Sequence, residues 1–473
     1  MAAGFAAVPF LASCANDGGT DGGSTPDHKE SGAGISASPG TGEFDLVIAG
    51  AFVSKLGQVA DVAIKDGKIA EVGTVDPKRA TEVVSGEGKF LAPSFVDTHT
   101  HLDKALLWDD DAYRADVKAN EEAWYASDQS DGFGYSTAGM AERAYMARLI
   151  DAGTSQADIV VKVKERMTTV IDWAIARGTG TIKTHTTWGE IGVQAITELK
   201  EEYAGRIDLK AIVPWSAATE KESFTQLTRT DYEKYVENGQ VDFIGGYFSV
   251  GSDLANIDSL FAFAESSGLP VDLHVNEQDT PDFTEYNHIL DHAIRLGLGD
   301  KLSCGHLTAL DALGVDQNDL DAVIAKAARS GSNVISLPSC NMFLMGRKQE
   351  VPRRRGTTRL DLFLKNGVNT AFASDNIRDA WRPYGNADLL QEALVGSHVM
   401  QYAYPEDLEK VFDMITYNPA RNAGLEGYGV GVGCNADLVL LDTDSAANAI
   451  LTQAARIVVV KAGAIVARDG ALV

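Results

Sequence analysis

The strongest constraint in this chain is an alternation. Between residues 89 and 424, apolar runs with strand character recur eight times, with amphipathic helical stretches between several of them. The runs are 89–101, 180–188, 207–215, 241–250, 269–277, 301–310, 332–341 and 369–376. Stretches such as 257–268 (IDSLFAFAESSG) and 360–367 (LDLFLKNG) read as the intervening helices. Eight strands alternating with helices predict an α/β fold, a parallel (β/α)8 TIM barrel. A chain of 473 residues that is 45% hydrophobic can fill the core of such a barrel. An open doubly wound sheet would need a Gly-rich phosphate turn after its first strand, and neither GxGxxG nor GxxxxGK[ST] follows residue 101.

The flanks have a different texture. Residues 44–73 read as short alternating strands broken by Gly and Asp-Gly turns, and the same pattern returns at 436–444 and 456–470. Two all-β pieces at opposite ends can pair, so residues 44–88 plus 425–473 are expected to form one small β-sandwich domain. The barrel, 89–424, is then inserted between them. No stretch after residue 43 has about 18 uninterrupted apolar residues, the minimum for a membrane-spanning helix.

Residues 1–43 stand outside this fold. Residues 2–13 are apolar and short, like the h-region of an export signal, and end in Leu11-Ala12-Ser13-Cys14. That ending resembles a bacterial lipobox, in which Cys14 would carry the lipid. The Gly-, Ser-, Asp- and Thr-rich stretch from Asn16 to Glu43 has the composition of a flexible linker. The expectation is an extracytoplasmic protein anchored to a bacterial membrane through its N-terminus. The n-region departs from a complete signal, because no Lys or Arg precedes Lys29. A cytoplasmic location with a frayed terminus is the alternative.

Charge and cysteine usage remove other classes. The chain has 67 acidic and 41 basic residues, a formal net charge of −26, and lacks the basic footprint of a nucleic-acid binder. Arg353-Arg354-Arg355 reads as a solvated loop. Cys14, Cys304, Cys340 and Cys434 form no CxxC pair and are too few for a disulfide framework.

Active sites in (β/α)8 barrels lie at the C-terminal ends of the strands, so the residues ending each run matter most. The first run ends in His99-Thr100-His101; residues two apart on a strand point the same way, and both imidazoles can face the axis. The fifth carries His274 with Glu277 three residues on, the sixth carries His306, and the eighth carries Asp375. Two histidines, a third from the fifth strand and a carboxylate from the eighth make a compact N/O ligand set. Such a set suits Zn2+ or Fe2+ and leaves a position open for water. His185, ending the second run, either lines the pocket or makes a supporting hydrogen bond. His288 and His292, one helical turn apart, read as a polar surface face with no carboxylate at ligand geometry. His28 falls in the linker, and His398 reads as structural on a late helix.

Four separated segments then match a family. PSFVDTHTHLDK, DLHVNE, CGHLTA and ASDNIRDAW resemble the amidohydrolase superfamily, and within it the cytosine deaminase branch and the related N-alkylammelide amidohydrolases. The resemblance runs from residue 44 to the C-terminus, including NPAR (418–421) and ADLVLLD. It implies that His99, His101, His274 and Asp375 bind one divalent metal, iron or zinc. It also implies catalytic roles for Asp375, His306 and Glu277. Asp375 would accept the proton of the attacking water, and His306 would hold the attacking oxygen. Glu277 would protonate a ring nitrogen and later the departing amine. Binuclear members use a carboxylated Lys ending the fourth strand; the fourth run here (241–250) has no Lys, while Lys183 and Lys104 lie elsewhere. One metal favours deamination. A separate deaminase class uses HxE with PCxxC; His28-Lys29-Glu30 spells the first, but the second is missing.

The resemblance is looser at the substrate. LPSCNMFLMGR and RRRGTTRL fit the cytosine deaminase pattern, but Trp215-Ser216 stand where that branch has a Gln, and Asn376 stands where it has a second Asp. Ser216, Trp215, Asn376, Trp381 and His185 are therefore the candidate substrate-binding residues, with Trp381 read either as a stacking ring or as a core residue. The expected activity is hydrolytic deamination of cytosine or a cytosine-like amino-heterocycle, releasing ammonia. The alternative is release of an alkylamine from an N-alkylammelide-type triazine. A third reading, from another class, is a lipid-tethered binding protein without turnover, against which intact Glu277, His306 and Asp375 speak. The expected partner is a small heterocycle, not nucleic acid, and a homo-oligomer is expected only by analogy with other barrels.

Overall fold

The computed structural model describes residues 42–221 and 226–473. Cys14, with its lipobox-like segment, and His28 lie outside the described residues. Among the described residues, no helix is long and apolar enough to cross a membrane.

Eight parallel strands form the barrel: β1 (Phe95–Thr100), β2 (Thr179–His185), β3 (Asp208–Pro214), β4 (Phe243–Phe248), β5 (Val271–Val275), β6 (Leu302–His306), β7 (Asn333–Ser336) and β8 (Asn369–Phe372). Each pairs with the next in sequence order, and a parallel bridge between Thr100 and Asp375 brings the end of β8 back to β1. Every residue of β1, β2, β5, β6 and β7 is buried, as expected of strands with packing on both faces. Helices such as Gln156–Ala176, Gly189–Glu202 and Leu254–Ser267 cover the outer face. Between β1 and β2 the chain makes not one helix but three, Asp111–Ala126, Met140–Asp151 and Gln156–Ala176. The start of the second and the connection before it, with Tyr135, Gly139, Glu142 and Arg143, build one wall of the barrel mouth.

The terminal segments meet in a single nine-stranded sheet. Its junction is the short strand Phe90–Pro93, which runs parallel to Phe44–Val53 and antiparallel to Leu438–Leu441. The 89–101 run is thus two strands, the first in the small domain and the second in the barrel, separated at Ser94. Alternation along Leu438–Leu441 divides the two cores. Leu438 and Leu440 pack with Leu46, Ile48, Val62 and Ile64 inside the small domain, whereas Val439 and Leu441 join the barrel core. The 332–341 run is also shorter as a strand than its apolar character suggests. It stops at Ser336, and Pro338 opens the helix Pro338–Leu344.

Candidate metal centre

The strand ends bring His99, His101, His274 and Asp375 together, with one ligand atom from each within 4.8 Å of all the others. His274 Nε2 lies 3.1 Å from His99 Nε2 and 3.0 Å from His101 Nε2. Asp375 Oδ1 lies 3.3 Å from His101 Nε2 and 3.8 Å from His99 Nε2. A tetrahedral ion with bonds near 2.0–2.1 Å separates its ligands by about 3.3 Å, so the spacing fits. Hydrogen bonding alone does not account for the cluster: both carboxylate oxygens of Asp375 are buried with no hydrogen-bond partner. Burial also holds His99, His101 and His274 well below the usual histidine range, leaving them neutral, as ligands must be. These residues fit one divalent ion.

Local structure aims these groups. Asp375 N donates to His99 O at 2.8 Å, and beneath it Ser374 Oγ donates to Asp97 Oδ2 at 2.5 Å, locking the end of β8 to β1. Thr187 Oγ1 sits 3.1 Å from His101 Nδ1, which turns Nε2 of that ring toward the centre. Gly305 leaves room for His99, since a Cβ there would lie 3.0 Å from its Cε1. His306 and Asp375 adopt φ of 69° and 58°, a left-handed conformation uncommon in non-glycine residues and often concentrated at functional sites.

His306 and Glu277 stand beside the cluster. His306 Nδ1 lies 3.1 Å from Glu277 Oε1, while its buried Nε2 has no hydrogen-bond partner. Burial opposes a charge on His306, but the Glu277 carboxylate outweighs it and raises the pKa. Asn341, from the helix opened by Pro338, reaches both: its Nδ2 donates to Glu277 Oε1 at 3.3 Å and lies 2.9 Å from His306 Nδ1. It lies within the LPSCN segment, yet its role becomes visible only once β7 is seen to end before it.

A cavity of about 390 Å³ opens over the cluster, within the range of small-molecule sites. Glu277, His306, Asp375 and Asn376 line its floor, and Trp215, Ser216 and Trp381 line its sides. Trp381 is both core and wall: its Nε1 donates to Glu142 Oε1 at 2.6 Å, and Lys104 Nζ sits 4.5 Å from its ring centre. Trp215 stacks on Phe263 with ring centres 4.4 Å apart, so much of its ring is committed to helix packing. Lys104 and Glu142 also line the cavity. Sequence reasoning missed both as site residues: Glu142 comes from an inserted helix, and Lys104 from the turn directly after His101.

Two expectations are corrected. His185 is not in the cavity wall: it is fully buried beside His99, 3.3 Å from His99 Nδ1 and 3.5 Å from Asp272 Oδ1. Being the last residue of β2 does not bring its ring to the cavity: His101 and His274, which line the cavity, pack against it with ring centres 5.2 and 4.4 Å away. His288 and His292 do have a carboxylate at ligand distance, Asp258 from the neighbouring helix. A single helix's sequence could not reveal it.

Fold and cluster together define a (β/α)8 barrel enzyme with a three-histidine, one-aspartate centre. A sequence profile of the amidohydrolase family matches residues 121–467, well over half of the chain. The chain belongs to that family, and it is a hydrolase acting on carbon–nitrogen bonds other than peptide bonds. It is 30% identical over 393 residues to a pterin deaminase of Rhizobium rhizogenes, covering 80% of this chain and 82% of that one. It is 25% identical over 444 residues to an N-isopropylammelide isopropyl amidohydrolase of Pseudomonas, covering 91% and 99%. In fold it is similar to 5-methylcytosine deaminase from Klebsiella pneumoniae solved with phosphonocytosine, with a TM-score of 0.73 at 24% identity, covering 89% of this chain and 98% of that one.

Proposed function

We propose that this chain is a metal-dependent hydrolytic deaminase of a planar amino-substituted N-heterocycle, releasing ammonia. The observation that carries the proposal is the Glu277–His306 pair, held 3.1 Å apart by a shared Asn341 at the edge of a buried ligand cluster. A site that only bound a ligand would not need a buried acid next to a buried base. The heterocycle class is supported by the relatives, whose names specify pterin, ammelide and 5-methylcytosine. Among these, a pterin-like amino-oxo ring is the first substrate to test, given 30% identity over most of both chains, with cytosine-like bases second.

His99, His101, His274 and Asp375 would hold the ion, either zinc or iron. Such an ion supplies Lewis-acid chemistry and makes water acidic enough to ionise near neutral pH. Asp375, whose oxygens are otherwise unpartnered, would take up the proton of the attacking water. His306 would hold that water's oxygen through its free Nε2, its other nitrogen being anchored by Glu277. Glu277, buried in the cavity floor, would deliver its proton to the ring nitrogen beside the amino-bearing carbon, recover one from the hydroxyl added to that carbon and pass it to the departing amine; the proton taken up by Asp375 then restores the acid form of Glu277.

The coverage of the ammelide relative favours a second reading, alkylamine release from a substituted triazine. One experiment separates the two: metal-loaded protein is screened against aminopterins, aminopyrimidines and alkylaminotriazines, with ammonia and alkylamine measured together. Ammonia from a pterin or pyrimidine supports the proposal. Alkylamine alone supports the second reading, and a metal-loaded protein inactive on all three classes overturns both.

A further inference from the structure

We propose that His288, His292 and Asp258 form a second divalent-metal site, on the outer surface of the barrel, that takes a zinc-class ion. His288 and His292 lie one turn apart on the helix Thr284–Leu296, and Asp258 projects from the adjoining helix Leu254–Ser267. One oxygen of Asp258 lies 2.7 Å from His288 Nε2 and 2.8 Å from His292 Nε2. The three donor atoms converge from two helices, and imidazole plus carboxylate is a donor set suited to zinc and neighbouring transition metals. The site makes no contact with the catalytic cavity and does not depend on the proposed deaminase reading.

The rings are oriented before any ion arrives, and Asp258, now at hydrogen-bond distance, must move back by about 0.5 Å to reach the ligand spacing of a tetrahedral ion. The His292 ring lies flat on Phe261, with centres 4.8 Å apart and planes 3° from parallel, and Phe261 is fully buried. Its side chain is only 13% exposed, so Nε2 has a fixed direction. The His288 ring stands at 83° to it, 4.9 Å away, which presents the second nitrogen from another angle. Asp258 is 56% exposed, leaving the solvent side open for water ligands. Among the described residues, Asp258 pairs with these two histidines and with no Lys or Arg. A divalent ion would supply the missing positive charge.

Without an ion, each Nε2 donates its proton to Asp258, and His292 Nδ1 accepts from Arg295 Nη2 at 3.2 Å. Metal binding moves each proton from Nε2 to Nδ1, so both rings remain neutral. His292 Nδ1 then becomes a donor facing Arg295, which must turn away; Glu265, 3.3 Å from Arg295 Nη1, is an acceptor already in reach. Arg295 therefore opposes the ion, both by charge and by the proton switch. Once bound, the ion would tie together the helices that follow β4 and β5.

The test is zinc stoichiometry by elemental analysis after equilibrium dialysis, with thermal melting on the same samples. Wild type is expected to hold one zinc more than His288→Asn or Asp258→Asn, and to gain a zinc-dependent rise in Tm that both variants lose. Both substitutions are at partly exposed positions, and circular dichroism checks that each folds. Arg295→Gln is expected to tighten the extra zinc several-fold, because it removes the cation and offers Nδ1–H an acceptor. Equal zinc content in wild type and both variants would overturn the site. So would tightening that is absent in Arg295→Gln while the zinc difference is also absent.

Discussion

Lys183 Nζ donates to Asp272 Oδ2 at 2.6 Å inside the barrel, and both side chains are wholly buried. Lys183 belongs to β2 and Asp272 to β5, so the ion pair links strands that are not neighbours in the sheet. Asn422 Oδ1 accepts a second bond from Lys183 at 2.8 Å. The other oxygen of Asp272 faces His185 Nε2 and His99 Nδ1 at 3.5 and 3.8 Å. The pair is thus a charged base under the candidate metal centre. Burial disfavours the Lys183 ammonium, and the Asp272 carboxylate opposes that effect.

Lys183→Met should therefore be costly. It strands a buried carboxylate, an error worth about 3–5 kcal/mol in comparable buried pairs. Urea denaturation should show a loss of that order, with weaker metal retention on dialysis. The double change Lys183→Met, Asp272→Leu removes both charges and should recover much of the stability but not the metal retention. Equal metal retention in all three proteins would remove Asp272 from any part in positioning His99.

Glu277→Gln keeps the shape of the side chain and one acceptor but cannot deliver a proton. General acid–base groups contribute about 10²–10⁴ in rate. The variant should retain its metal content while kcat on the active heterocycle falls by at least about 100-fold. Near-wild-type turnover would exclude Glu277 as the proton carrier.

His185→Gln tests whether His185 acts on the substrate or on the metal. A pocket residue would shift KM, whereas a group beside a ligand should act on the metal. Outer-shell partners of metal-bound histidines are worth about 10–100-fold in affinity or activity. The expected result is faster metal loss to a chelator, with KM of the reloaded enzyme little changed. A selective rise in KM with metal affinity intact would return His185 to the pocket.

The pattern of legibility follows from what a strand end reveals. His99, His101, His274 and Asp375 could be read from the sequence because a period-two strand and the open face of a barrel leave their side chains few directions. The pairing of Lys183 with Asp272 could not be read, because a buried pair drawn from β2 and β5 has no local signature. His185 could be placed on a strand but not in depth, since the His101 and His274 rings packed against it line the cavity instead. Glu142 entered the site only through the helical insertion after β1, whereas Lys104 sits in the turn directly after His101. The boundary at Ser94 was hidden because apolar character runs unbroken through two strands of different sheets.

Asp279 offers a pH test away from the ligands. Its two oxygens accept from Gly346 N, at 3.1 and 2.8 Å, yet burial pushes the carboxyl up to about 6. A pKa raised above its unfolded value of 3.8 means that the folded state favours the protonated form. The contribution is therefore full below the unfolded value and is lost as pH rises through about 6. Asp279→Asn, which stays neutral and keeps an acceptor for Gly346, should melt higher than wild type at pH 7.5. The difference should close as pH falls through that window; a gap independent of pH would show that ionisation of Asp279 is not its source.

Trp381 tests how the cavity holds a flat ring. Its indole is fixed from three sides: Glu142 accepts from Nε1, Lys104 covers one region of the ring, and Tyr135 meets it edge-on with centres 5.2 Å apart. Asp379 Oδ1 accepts from its backbone N at 2.9 Å. Such fixation leaves little side-chain entropy to lose when a planar substrate stacks, and aromatic contacts of this kind contribute about 0.5–1.5 kcal/mol. Trp381→Ala should raise KM by roughly 3- to 10-fold with a smaller change in kcat. Trp381→Phe restores an aromatic face but leaves Glu142 without its donor, so it should recover KM only in part. If both variants lower kcat and leave KM alone, Trp381 acts on the shape of the catalytic floor and is not a surface for the substrate.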